Sequence, residues 1–224
     1  MSKLKTFNEF LNENLWADLQ DRSSGEVTRK ENYITTREEL DEIIKSAYEE
    51  QGKGDTLTID LTGKKILVDD MSLLFYPYRR DVKYIYGLET LDVSQVTNMR
   101  GMFLKCYALK KLNIGNWKTN KVKDMSDMFS DCFKLQGLDL NKWNVSSVEV
   151  MRNMFNYCNN LTELHIENWD VRNVTDMFQM FSDCPNLKEL DLNNWVVSNV
   201  KDMKSMFYGC PIQYVRKGKK LVRI

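Results

Sequence analysis

Apolar residues along this chain follow two short periods nested inside a longer one. Met125, Met128, Phe129 and Cys132 fall at i, i+3, i+4 and i+7, the spacing of a single helical stripe. Leu135, Leu138 and Leu140 follow as L-x-x-L-x-L, and the step of two predicts a strand with one buried face. Trp143, Val145 and Val148 then cover the corner that leads into the next stripe. Asp124 or a neighbouring serine is placed to cap the start of the helix. Each unit therefore predicts strand, corner, short helix and return.

The longer period is 26 residues, read from Trp117, Trp143, Trp169 and Trp195 and from Cys106, Cys132, Cys158, Cys184 and Cys210. Met-Phe pairs keep the same step from Met102-Phe103 to Met206-Phe207, as do the columns Met99 to Met203 and Val96 to Val200. Neither element of a unit buries its apolar face alone, so the units must stack. The pattern fades at both ends. Val68, Met71, Leu74 and Phe75 imitate the stripe with a two-residue offset, and Leu57, Ile59 and Leu61 read as a first strand. Beyond Pro211 apolar positions persist without the repeat, which predicts a strand or hairpin closing the far end.

The motif L-x-x-L-x-L-x-x-W-x-V-S-x-V-x-x-M-x-x-M-F-x-x-C resembles the BspA-like leucine-rich repeat, known also from mycoplasma lipoprotein-associated proteins. Leu161-Thr162-Glu163-Leu164-His165-Ile166, Trp169, Val171, Val174, Met177, Met180-Phe181 and Cys184 carry the resemblance, which extends over about residues 55 to 212. It implies an α/β repeat: a right-handed leucine-rich-repeat solenoid of about five 26-residue strand-helix units, with a binding role often exercised at cell surfaces. Residues 55–212 are the expected solenoid, and 213–224 a capping strand with a basic tail. Strands stack at about 4.8 Å and helices are about 10 Å across, so the helical side is expected to fan out and leave the strands concave.

Residues 1–54 are expected to form a helical cap or extension. Leu4, Phe7, Leu11, Leu15 and Leu19 make one stripe. Thr36-Arg37-Glu38-Glu39 is a capping box before a second stripe of Leu40, Ile43, Ile44, Ala47 and Tyr48. The stretch Lys5-Thr6-Phe7-Asn8-Glu9-Phe10-Leu11-Asn12-Glu13 resembles N-terminal peptides of tailed-phage proteins, and Leu11-Asn12-Glu13 fits the L-x-E pattern cut by prohead proteases. That resemblance implies a second reading, a phage virion-associated or packaged structural protein directed by its first helix.

Composition narrows the chemistry. Lys+Arg and Asp+Glu both number 32, so no basic excess favours nucleic acid. His165 is the single histidine, which excludes multi-histidine metal sites and leaves a triad resting on one residue. The five cysteines lack C-x-x-C spacing, so zinc is not expected. Placed on fanned helices, their Cα atoms would lie beyond the about 7 Å a disulfide tolerates, so they read as reduced core thiols. No apolar run approaches the about 20 residues that span a membrane. The first residues lack the apolar region of a signal peptide, which favours the cytoplasm, of a host cell or a virion, over a surface. No motif marks a catalytic residue, a metal ligand or a cofactor, so no enzyme and no cofactor are expected.

What remains is the strand surface. Residues alternating with the leucines read Ile85 and Gly87, Lys111 and Asn113, Gly137 and Asp139, Glu163 and His165, Glu189 and Asp191. Lys111, Asn113, Asp139, Glu163, His165, Glu189 and Asp191 are the candidate partner-binding set, turning acidic toward the C-terminus and suiting a basic protein partner. Arg216, Lys217, Lys219, Lys220 and Arg223 form a competing basic tail. The expected function is a non-enzymatic protein-binding module.

Overall fold

The computed structural model describes residues 33–52, 54–62 and 64–223. The chain divides into Met1–Tyr33 and Ile34–Ile224. The first helical stripe and the phage-like peptide lie outside the described residues. The elements are β1 (Tyr33–Ile34), α1 (Arg37–Glu50), β2 (Thr56–Thr58), β3 (Lys65–Ile66), β4 (Tyr84–Tyr86), β5 (Gly137–Asp139), β6 (Glu163–His165), β7 (Tyr214–Lys217) and β8 (Lys220–Arg223).

α1 starts where the capping box places it. Thr36 Oγ1 accepts from the Glu39 amide at 3.2 Å, and Glu39 Oε2 accepts from the Thr36 amide at 3.1 Å. Amides of Thr35 and Thr36 hold the Glu39 carboxyl below the usual range. Leu40 and Ile44 are buried in the core that also holds Leu57 and Ile59.

From Asp70 onward the backbone of each repeat runs parallel to the next. Parallel bridges join Asp70 to Asn98, Asn98 to Asp124, Asp124 to Val150, Val150 to Asp176 and Asp176 to Asp202. These rungs contain the Met-x-x-Met-Phe-x-x-Cys stripe, and they are not the expected short helices: α1 is the α-helix among the described residues. Each stripe is a run of turns whose amides alternate in use. Met128, Ser130 and Cys132 donate three residues back, to Met125, Asp127 and Phe129. Met125, Asp127, Phe129 and Asp131 donate outward to Val150, Arg152, Met154 and Asn156 of the next rung at 2.8–3.0 Å. An amide donating across rungs is lost to an i→i−4 helix ladder.

Two positions per rung have left-handed backbone. One column is Leu73, Gly101, Asp127, Asn153, Gln179 and Ser205, and the other is Lys105, Asp131, Tyr157, Asp183 and Gly209. Asp, Asn and Gly tolerate that conformation best, which explains their recurrence beside the methionines.

Stacking sets the spacing. Phe75, Phe103, Phe129, Phe155, Phe181 and Phe207 form a ladder with neighbouring centroids 5.0–5.6 Å apart. Trp117, Trp143, Trp169 and Trp195 form another at 5.9–6.4 Å. Each indole Nε1 donates to a carbonyl 29 residues earlier, as Trp143 does to Ile114 at 2.9 Å. Helices about 10 Å across do not fit this spacing, so the anticipated fanning has no cause here.

The five cysteines are free and buried. The separation argument built on helices does not apply to rungs this close. Each inner thiol instead donates to a carbonyl of the preceding rung, Cys132 to Phe103 at 3.2 Å and Cys184 to Phe155 at 3.1 Å.

Candidate binding surface

The site grows from alternation along short strands. Leu138, Leu164 and Leu190 are buried, so their neighbours face outward. Lys111, Asn113, Asp139, Glu163, His165, Glu189 and Asp191 are all exposed. Parallel pairing of β5 with β6 sets Gly137 beside Glu163 and Asp139 beside His165. Glu189 and Asp191 follow on a segment outside any named strand.

Ile85 departs from the expected placement. It is buried at 5 % exposure and pairs with Leu57, while Tyr84 and Tyr86 flank it on the outer side. Tyr84 bridges to Lys111, a step of 27 residues, and β2 pairs with β4 at a step of 28. Counting back in steps of 26 slips the frame by one or two residues, and a slip of one exchanges the two faces. The corrected face begins with two tyrosines stacked at 6.3 Å, and Lys110 Nζ lies 5.8 Å from the Tyr84 ring centroid. Alternating Tyr84-Ile85-Tyr86 was the signal in the sequence that could have shown this.

Two of the candidate carboxylates have local work. Asp139 Oδ1 accepts from the Asn141 amide at 3.2 Å, and Asp191 Oδ1 from the Asn193 amide at 2.9 Å, closing turns at the strand ends. Glu163 and Glu189 have no such turn bond. His165 Nδ1 lies 3.4 Å from Glu167 Oε1. Burial opposes ionisation of Glu167, but its own backbone amide, Asn141 and His165 together hold that carboxyl below the usual range.

Gly137 opens the face. Without a side chain there, a hollow of about 570 Å³ forms, walled by Lys111, Gln136, Asn160, Thr162 and Glu163. A Cβ on Gly137 would sit 3.3 Å from Glu163 Cβ. The hollow is thus lined by one cation, one carboxylate and uncharged amide and hydroxyl groups. Periodicity did not single out Gln136, Asn160 or Thr162, because they lie beside the alternating outward positions.

The basic tail is built into β7 and β8, an antiparallel hairpin with Gly218 in the turn at φ +61°. Lys217, Lys219, Lys220 and Arg223 are exposed on it. Arg223 donates to the Lys188 carbonyl at 3.3 Å, and the Val197 amide donates to the Lys219 carbonyl at 2.7 Å.

Among the described residues, no group of three or more His, Cys, Asp or Glu gathers as a metal site would require. No described helix is long and apolar enough to cross a membrane. Burial pushes the Cys106 and Cys184 thiols up to about 12, and those of Cys132 and Cys158 well above the usual value. Thiols held protonated in this way are poor nucleophiles.

Among curated proteins none matches the chain. A family model matches it twice, over residues 64–139 and 133–214, and the two matches overlap over 133–139, a stretch that includes β5. Together they take in all the bridged rungs and more than half of the sequence, and the chain belongs to the family described as Mycoplasma protein of unknown function, DUF285.

Proposed function

We propose that this chain is a leucine-rich-repeat solenoid of the BspA-like kind, acting as a non-enzymatic protein-binding module. Its outward strand face receives a partner that presents Lys or Arg. The observation that carries this reading is the row Lys111, Gly137 and Glu163 around an open hollow, continued by the exposed Glu189. A partner cation entering over Gly137 meets the Glu163 carboxylate, with Gln136 and Asn160 as uncharged hydrogen-bonding neighbours. Free, buried, protonated thiols suit work in a reducing compartment.

The test uses labelled Lys/Arg-rich and Asp/Glu-rich peptides against the full chain and the double variant Glu163→Lys/Glu189→Lys. The basic peptides should bind the native chain, more weakly as salt rises from about 0.05 to 0.5 M. The double variant should keep its circular dichroism and lose about tenfold in affinity. Unchanged affinity in that variant, with loss on removing residues after Val215, would move the site to the hairpin and overturn the reading.

A further inference from the structure

The amides that point from one rung to the next have acceptors in every rung but the last. In every preceding rung, alternate amides donate to carbonyls of the following rung at 2.6–3.1 Å. Met177, Gln179, Phe181 and Asp183 do so to Asp202, Lys204, Met206 and Tyr208. The corresponding amides of the last rung belong to Met203, Ser205, Phe207 and Gly209. Among the described residues none of these four has an acceptor.

The hairpin closes this end only in part. Tyr214 packs on Phe207 at 5.5 Å, where a following phenylalanine would stack. Gln213 Nε2 donates to the Phe207 carbonyl at 3.2 Å, the role a following cysteine thiol plays on inner rungs. Val196 and Val197 meet Lys220 and Lys219 on the Trp side. The side-chain core is therefore finished, and a row of four backbone donors is left. Tyr208 stands in this row. Its equivalents Ser130, Asn156 and Ser182 are buried between rungs, whereas Tyr208 is 68 % exposed.

The opposite end shows what closure looks like. The first rung offers carbonyls, and Arg37 Nη1 donates to those of Asp70 at 3.4 Å and Ser72 at 2.8 Å. A second copy stacking head to tail would have to displace that guanidinium. Two last rungs facing each other would set donors against donors.

We propose that the edge formed by Met203, Ser205, Phe207 and Gly209 is a docking site for a segment of a partner polypeptide that takes up the same run of turns, added as one further rung. Its alternate carbonyls accept from the four amides, and one apolar side chain rests on Tyr208. Because Tyr214 already fills the inward space, recognition runs through the main chain and tolerates many sequences, as in strand addition at a sheet edge. This surface is separate from the strand face.

The probe is an acetylated, amidated peptide with the sequence of residues 176–183 carrying Phe181→Ala, added to the full chain. Amide hydrogen exchange by NMR is the readout. In the free chain the four edge amides should exchange at least about 100-fold faster than those of Met125, Asp127, Phe129 and Asp131. The peptide should slow all four by about tenfold or more, and Tyr208→Ala should weaken its binding about fivefold. Glu163→Lys/Glu189→Lys should leave this binding unchanged, which separates its failure from failure of the strand-face reading. Edge amides already as protected as the middle rung, no binding near about 1 mM peptide, or binding without protection of the four would each overturn the proposal.

Discussion

The two ends of the stack solve one problem by different means. Both terminate a row of backbone groups that inner rungs satisfy against each other. At the first rung the unsatisfied groups are carbonyls, and the Arg37 guanidinium on α1 reaches two of them. At the last rung they are amides, and no acceptor side chain reaches them among the described residues. The hairpin spends its contacts on the aromatic ladder, through Tyr214 on Phe207, and on the Trp side, through Lys219 and Lys220. Capping an apolar column and capping a backbone edge are thus separable tasks, and only the first is complete at both ends.

The largest expected effect comes from breaking the ladder away from either end. Phe129 is fully buried between Phe103 and Phe155. Phe129→Ala should cost about 4 kcal/mol in urea unfolding, because rungs on both sides are held by backbone bonds and cannot collapse into the cavity. Phe207 has a rung on one side and a tilted tyrosine on the other. Phe207→Ala should cost about half as much, since the hairpin can shift inward. Equal costs would show that the hairpin is as rigid as a rung.

Much of this was legible in the chain and some was not. The period, the buried columns and the alternation around Leu138 and Leu164 follow from residue spacing alone. The helix did not, because turns of three to four residues bury i, i+3, i+4 and i+7 much as a helix does. The signal against it was chemical: Asp127, Asp131, Asn153 and Asp183 recur in two fixed columns that also contain Gly101 and Gly209. Those residue types share tolerance of positive φ, not helix propensity. Ile85 was misplaced because the first steps are 28 and 27 residues long. On the outward face, exposure was readable for all seven candidates. The hollow over Gly137 was not, since it depends on which rows lie side by side.

The cysteine ladder separates the middle from the ends through pH. Burial lifts the Cys106 and Cys184 thiols from 9.0 to about 12. Unfolded chain loses these protons once pH passes 9.0, while folded chain keeps them. The unfolded state then binds fewer protons, so stability is constant below that point and falls as pH rises toward about 12. Each thiol contributes a slope of about 1.4 kcal/mol per pH unit there. Urea midpoints across about pH 8 to 11 should drop less steeply for Cys132→Ser than for the native chain. At neutral pH that variant should cost about 1–3 kcal/mol, through imperfect pairing of the buried hydroxyl. Cys210→Ser should cost less, because Cys210 lies 3.7 Å from its acceptor and is less enclosed. Rapid alkylation of Cys132 in the native chain would contradict the burial on which this rests.

Arg37→Ala tests the closed end directly. Two carbonyls lose a charged donor, and the expected loss is about 1.5 kcal/mol. The companion variant Arg37→Lys keeps the charge without the planar fork and should recover part of that loss. Exchange of the Leu73 amide, which donates to Arg100 at 2.9 Å, should quicken in Arg37→Ala as the first rung frays. An unchanged rate would mean that α1 holds the rung by its buried Leu40 and Ile44 alone.

The smallest effect has the opposite sign and lies in the backbone of the middle rungs. Tyr157 occupies the second left-handed column at φ 55°, where its neighbours in the column are Asp131, Asp183 and, on the last rung, Gly209. Its side chain is 45 % exposed, so little burial is lost on replacing it. Its amide still donates to the Ser182 carbonyl at 3.0 Å whatever the side chain. Tyr157→Asn should therefore stabilise the chain by about 0.5–1 kcal/mol, as relief of left-handed strain outweighs the lost contact. Gly209→Ala is the converse case: a Cβ there, at φ 67°, would lie 2.7 Å from Asp183 Oδ1. It should destabilise by about 1 kcal/mol. Paired urea curves for the two variants measure the same backbone geometry from both sides, inside the stack and at its open edge. If Tyr157→Asn were destabilising instead, the tyrosine would be supporting its rung through the surface it covers, and the column would owe its Asp residues to side-chain hydrogen bonds rather than to φ.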